Sequence, residues 1–174
     1  MLTIEEIREK AQVILRRFRV TLPPVPVDKI ARDLGTTLRY SPFEGNLAGG
    51  VFRRGKEVII GVNSVHHVTR QRFTIAHEIG HFLLHKGKEV HIDRDLKAHV
   101  NWRNPEAQRV VDPEEVEANR FAAELLMPYD MLIKDVGSID ADDENDLREL
   151  ANKYVVSLQA MTIRISAAFL EKLV

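Results

Sequence analysis

The run Arg72-Phe73-Thr74-Ile75-Ala76-His77-Glu78-Ile79-Gly80-His81-Phe82-Leu83-Leu84-His85 decides how the chain is read. Phe73, Ala76, Ile79 or Gly80, and Leu83 or Leu84 recur at helical spacing, so the run is expected to form one helix with a buried face. Inside it, His77-Glu78-Ile79-Gly80-His81 forms an H-E-x-x-H pattern. Residues four apart on a helix lie about one turn apart on the same face. Two neutral imidazoles so placed can grip one Zn²⁺, and Glu78 beside the first can reach a water on the ion and take its proton. The plainer alternative is a buried helix with two satisfied core histidines.

If the metal reading holds, the chemistry is water attack on a carbonyl, most often that of a peptide bond. Two histidines and a water do not complete such a site, and a third protein ligand is expected. The chain has no cysteine, so thiolates are excluded. A second periodic segment, Asp112 to Leu126, offers carboxylates. Asp112 suits a helix cap and Pro113 a first turn, while Val116, Phe121 or Ala122, and Leu125 mark a buried face. Glu114, Glu115 and Glu117 are all candidate ligands. Acidic residues in a first turn also complement the helix dipole without any metal.

Several motifs together resemble a known family. They are R-F-T-I-A-H-E-I-G-H-F-L-L-H, then E-V-E-A-N-R-F-A-A-E-L-L-M-P, then L-A-N-K-Y-V-V-S-L-Q-A-M-T-I-R, with P-V-P-V-D-K-I-A-R-D-L-G upstream. The chain resembles the ImmA/IrrE metallo-endopeptidases, prokaryotic and phage proteins of gluzincin type, over nearly its whole length. The resemblance implies that the third ligand is the glutamate of E-x-x-A-N, here Glu115. It implies that Asn119 holds a ligand imidazole through its other ring nitrogen, an orienting bond that zinc-bound histidines usually make. It makes Glu78 the catalytic base, and His77, His81 and Glu115 the holders of Zn²⁺, with Mn²⁺ or Fe²⁺ also able to occupy such a site. Members of the family cleave helix-turn-helix transcriptional repressors, so the implied partner is a regulator of that kind. Competing readings are a regulatory binding module that does not cut, and an enzyme component of a toxin–antitoxin or phage-defence pair.

The expected fold class is α+β. Residues 1–136 should form a mainly helical, zincin-like metalloprotease domain with a small three-stranded antiparallel sheet. Residues 137–174 should form a helix-turn-helix-like appendage packed on it. Thr3 and Glu6 form a capping box opening a helix to about Arg19. Prolines 23, 24 and 26 break it, and a short helix from about Asp28 ends near Gly35. Thr36 to Tyr40, Leu47 to Arg53, and Glu57 to Asn63 read as strands, the last two joined at Arg54-Gly55-Lys56. Gly49 and Gly50 allow either close backbone approach or a bulge. Arg53, Arg54 and Lys56 read as a solvated basic tip.

Lys86 to Val111 shows little periodicity, and an irregular stretch of that length suggests a lid over a cleft. Tyr129 to Val136 reads as a helix, and the acidic run Asp140 to Asp146 as the cap of the next one. Leu147, Leu150, Ala151 and Tyr154 form one stripe, and Leu158, Met161, Ile165 and Phe169 another, with a turn at Val156-Ser157 between them. The second stripe's helix offers Gln159, Thr162 and Arg164 as polar reach. That is too little positive charge for phosphate contacts, so packing is expected rather than direct DNA binding. Candidates for stabilising an oxyanion are Tyr40, His66, His67, His85, His91, His99 and Tyr129. His85, one turn beyond His81, is read as a support or rim residue, because a fourth ligand would close the site. A net charge of −1, the lack of cysteine, an amino terminus unlike a signal peptide and the absence of a long apolar run suggest a soluble, cytoplasmic protein that uses no membrane.

Overall fold

A computed structural model describes residues 1–45, 47–85, 90–93, 112–137, 139–140 and 143–172. Helix α1 (Ile4–Arg17) opens on the expected capping box. The Thr3 hydroxyl accepts from the Glu6 N–H at 3.2 Å, and the Glu6 carboxylate accepts from the Thr3 N–H at 2.7 Å. Helix α2 (Val27–Asp33) is followed by Gly35 at φ +89°, a conformation that glycine adopts without strain. Then come strands β1 (Thr36–Ser41), β2 (Gly49–Arg54) and β3 (Glu57–Asn63), and the long helix α3 (Val68–Leu84). The β2–β3 turn places Gly55 at φ +62°, as a tight hairpin requires.

The three expected strands are present, but the sheet differs from a three-stranded antiparallel one. It is mixed and four-stranded, in the order β1-β3-β2-β4. β2 and β3 run antiparallel, Val51 beside Ile60, whereas β1 runs parallel to β3, Thr36 beside Val58. The fourth strand, β4 (Val90–Asp93), lies in the stretch read as irregular and pairs antiparallel with β2. Its four residues are too few for alternation to register in sequence. With β4 on the outer edge of β2, the remaining edge of the hairpin is that of β3, and a strand laid there from β1's direction is parallel. The rest of the stretch expected to form a lid, His99 included, and the His91 side chain lie outside the described residues.

Helix α4 (Pro113–Leu126) begins as expected. The Asp112 carboxylate accepts from the Glu114 N–H at 3.0 Å, and Pro113 occupies the first turn. Helices α5 (Tyr129–Val136), α6 (Glu144–Tyr154) and α7 (Leu158–Lys172) complete the chain. The acidic run caps α6 through Asp143, whose carboxylate accepts from Asn145 N–H at 2.7 Å. Val155, in the left-handed region at φ +53°, turns the chain into α7, where the Ser157 hydroxyl accepts from Ala160 N–H.

α3 forms the centre of the molecule. Ile75, Ala76 and Ile79 are buried together with Ile7, Val51, Ile60, Phe121 and Leu125, contributed by α1, the sheet and α4. Each buried aliphatic of this size contributes roughly 1.5–3 kcal/mol. Arg72, also on α3, donates to the carbonyls of Val25 at 2.8 Å and Val155 at 3.2 Å, so it ties the turn before α7 and the segment before α2 to the central helix. Burial lowers the pKa of its guanidinium from the usual arginine value.

Two close approaches set where α3 lies. A Cβ on Gly49 would fall 2.4 Å from Thr74 Cγ2 and 2.5 Å from the Gly61 carbonyl oxygen, so only glycine lets β2 press onto α3. Of the two readings left open for Gly49, a close approach or a bulge, the contacts are those of a close approach, made to a helix and to β3. On the other side, Gly80 faces Ala118 of α4. A Cβ there would sit 3.1 Å from Ala118 Cα and 3.3 Å from its oxygen.

α7 is held down by charge as well as by apolar contact. Arg164 is 6% exposed, donates to Glu124 at 2.6 Å and to the Met127 carbonyl at 3.2 Å, and Glu124 also receives Arg8 at 3.2 Å. The basic side chain counted among the polar reach of this helix therefore points inward.

Candidate metal centre

The close fit of Gly80 against Ala118 brings one turn of α3 against the first turns of α4. His77 and His81 are buried, at 0% and 2% exposure, and their Nε2 atoms stand 3.0 Å apart. Glu115 reaches over from α4. Its Oε2 lies 3.4 Å from His77 Nε2 and its Oε1 lies 3.4 Å from His81 Nε2. These three residues form a cluster that could hold a metal ion. Of the carboxylates left open by the sequence, Glu115 is the one brought to the rings. Glu117 turns instead to His85.

The donor set suits zinc. Ligand atoms about 2.0–2.1 Å from a tetrahedral ion stand roughly 3.3–3.4 Å from one another. Each nitrogen has one Glu115 oxygen at that separation, a different oxygen for each ring, and the two nitrogens need to part by only about 0.3 Å. Glu115 keeps 13% of its side chain exposed, so the cluster is not sealed from solvent.

Each ring is held from behind. His77 Nδ1 lies 3.0 Å from Asn119 Oδ1, one turn along α4 from Glu115. His81 Nδ1 lies 3.0 Å from His85 Nδ1, and His85 Nε2 lies 3.1 Å from Glu117 Oε2. Glu117 Oε1 accepts from the backbone N–H of Leu2 at 2.6 Å. Burial pushes the Glu117 carboxyl pKa up, but the bonds from Leu2 and His85 outweigh it and the net shift is downward. Glu78 is fully buried on the same helix, between the two ring positions in sequence.

Arg53 belongs to this neighbourhood and was missed in the sequence. Its guanidinium donates to the carbonyls of His81 at 2.9 Å and His85 at 3.1 Å, and lies 5.9 Å from the Phe82 ring centre. A cation at a helix C-terminus is favoured by the dipole and by the open carbonyls there. The signal available was alternation along β2, which sends Arg53 and Arg54 to opposite faces of the sheet.

Most of the oxyanion candidates are engaged elsewhere. Tyr40 donates to Asp28, and burial, followed by that bond and the carboxylate's charge, raises its pKa to about 12. Tyr129 lies under the Arg8 guanidinium, 4.5 Å from the ring centre. His67 caps the start of α3, roughly 15 Å along the helix from His77 at 1.5 Å per residue, with His66 beside it. His85 is occupied by His81 and Glu117.

Residues 31–166, more than half of the 174, match the model of the Peptidase_M78 family, described as the IrrE N-terminal-like domain. The chain belongs to this family. No curated protein matches it. Among solved structures, a Mycobacterium tuberculosis transcriptional regulator superposes with a TM-score of 0.59 at 13% identity, over 90% of this chain and 45% of that one. The likeness is one of fold, and this chain corresponds to less than half of that protein. Among the described residues, no helix is long and apolar enough to cross a membrane.

Proposed function

We propose that the chain is a zinc-dependent endopeptidase that cuts a helix-turn-helix transcriptional regulator. The observation that carries the hydrolytic reading is the convergence of His77, His81 and Glu115 on one point, with a buried glutamate, Glu78, on the same helix. In this reading His77, His81 and Glu115 hold the ion; Zn²⁺ is favoured by the two-histidine, one-carboxylate set, with Mn²⁺ or Fe²⁺ as other occupants. When bound, the ion supplies a Lewis acid and an acidified water.

The chain's own residues do the rest. Glu78 takes the proton of the attacking water and returns it to the leaving amine. Asn119 holds His77 with its Nε2 turned to the cluster. Residues 1–136 would form the catalytic unit, and residues 137–174 an appendage docked on it through Arg164.

The choice of substrate rests on the resemblance to the ImmA/IrrE proteins, whose members cleave such regulators, together with the match to the family model. The test compares new protein amino termini in cells producing wild type or Glu78→Gln. One regulator cut by wild type alone supports the proposal and names the substrate. No difference, with metal bound in both, overturns it in favour of a regulatory module that binds without cutting.

A further inference from the structure

We propose that Glu117 is a positioning residue for the metal centre. Acting through His85, its carboxylate fixes His81 with the proton on Nδ1 and leaves Nε2 open towards the ion. The proposal rests on the reading of His77, His81 and Glu115 as metal ligands.

The argument follows proton directions along one chain of contacts. An ionised carboxylate can only accept hydrogen bonds. Glu117 accepts at both ends: Oε1 takes the Leu2 N–H at 2.6 Å and Oε2 faces His85 Nε2 at 3.1 Å. His85 Nε2 must therefore carry the proton. A neutral imidazole has one donor and one acceptor nitrogen, so in the neutral ring His85 Nδ1 is the acceptor. Its neighbour at 3.0 Å is His81 Nδ1, which must then be the donor. His81 Nε2 is left with a lone pair, 3.4 Å from Glu115 Oε1 and 3.0 Å from His77 Nε2, where the ligand atoms meet.

The geometry of this chain is secured independently. His85 and Glu117 are about nine-tenths buried, at 10% and 9% side-chain exposure, so solvent competes little for their bonds. Arg53 grips the backbone carbonyls of both His81 and His85, which fixes the two ring origins relative to each other. The arrangement differs from that at His77. The partner there is an amide, which turns over to present either an oxygen or an NH₂. At His81 the polarity begins at a group unable to donate. Without it, His85 could place its proton on Nδ1, and the matching proton of His81 would then sit on Nε2 and block the ligand atom.

The test uses the 174-residue chain free of metal, with ¹⁵N-labelled imidazoles observed by NMR. In wild type, His81 is expected as the Nδ1–H form and His85 as the Nε2–H form. Glu117→Gln keeps the shape but supplies one oxygen, so its NH₂ must oppose either Leu2 N–H or His85. His81 should then populate both tautomers, and Zn²⁺ affinity by chelator competition should fall about 10–100-fold. In a His85→Ala background the same change should cost less than about twofold, because the path through His85 is already cut.

An Nε2–H form of His81 in wild type overturns the proposal. So does Glu117→Gln with unchanged tautomers and affinity, or an undiminished loss in the His85→Ala background. Failure of the metal reading is separable. Wild type that binds no Zn²⁺, or binding that survives His77→Ala, would remove the centre whatever the tautomers show.

Discussion

Replacing Gly80 by alanine tests whether the metal cluster depends on how closely two helices approach. In an isolated helix the change would stabilise by about 1 kcal/mol. Here the added Cβ would meet Ala118 Cα at 3.1 Å, Ala118 O at 3.3 Å and Phe121 Cδ1 at 3.3 Å. Two of those three atoms are backbone and cannot rotate away, so α4 must retreat by a few tenths of an ångström. Overpacking of this kind costs about 1–3 kcal/mol, leaving a net loss of about 1 kcal/mol after the propensity gain.

The retreat should show more clearly in metal affinity. Ala118 lies between Glu115 and Asn119 on α4, so moving it carries off the carboxylate and the amide that supports His77. We expect Zn²⁺ affinity to fall on the order of tenfold, within the range seen when supporting contacts are disturbed. Chelator competition and urea unfolding measure the two effects. Gly137→Ala is the control, since Gly137 already has helical φ of −64° and its Cβ would make ordinary contacts at 3.5 and 3.6 Å. A Gly80→Ala protein about 1 kcal/mol more stable, with unchanged affinity, would refute the reasoning and mean that the gap between α3 and α4 is slack.

Three further outcomes are expected. Arg164→Ala should destabilise by about 3 kcal/mol in urea, the low end for breaking a buried pair because Arg8 still faces Glu124; a loss within about 0.5 kcal/mol would mean the pair is decorative. Zinc at a hundred times its dissociation constant should stabilise the fold by about 2.7 kcal/mol. Chelation should accordingly lower Tm by about 5–10 °C, and His77→Ala should abolish the shift. Tyr154→Phe removes a 2.7 Å bond to Asp135 and should cost about 1 kcal/mol at neutral pH. Burial, then that bond and the nearby charge, raise the pKa of Tyr154 above its ordinary value of 10.0. A raised pKa means this stabilisation is complete below about pH 10 and lost as pH climbs further. Denaturation at pH 8 and pH 11 should show a steeper loss for wild type than for Tyr154→Phe, and parallel losses would contradict the assignment.

Local features were the most legible in the sequence. Thr3, Asp112 and Asp143 each stand at a helix start and make their capping bonds, because a cap depends on residues two or three positions away. The spacing of His77 and His81 placed both rings on one face for the same reason. Contacts between distant segments were less visible. Parallel pairing of β1 with β3 depends on what occupies the far edge of β2, and a strand of four residues leaves almost no pattern. Arg53 sits among other basic residues at a hairpin, and nothing local distinguishes the one that turns towards a helix end. Glu117 looked like one of three interchangeable carboxylates until α4 was laid against α3.

Arg53 also bears on how long an ion stays bound. Helix ends usually fray, and fraying exposes the last turn many times faster than the whole fold opens. His81 lies in the last turn of α3, where a free end would release it often. Here the His81 carbonyl is engaged twice, by His85 N–H at 3.2 Å and by Arg53 at 2.9 Å, and Arg53 is itself anchored in the sheet. Unwinding that turn requires detaching it from β2. Residence of an ion held there would be coupled to opening of the sheet–helix unit rather than to the flicker of a helix tip, so metal exchange should be slow and should track global stability.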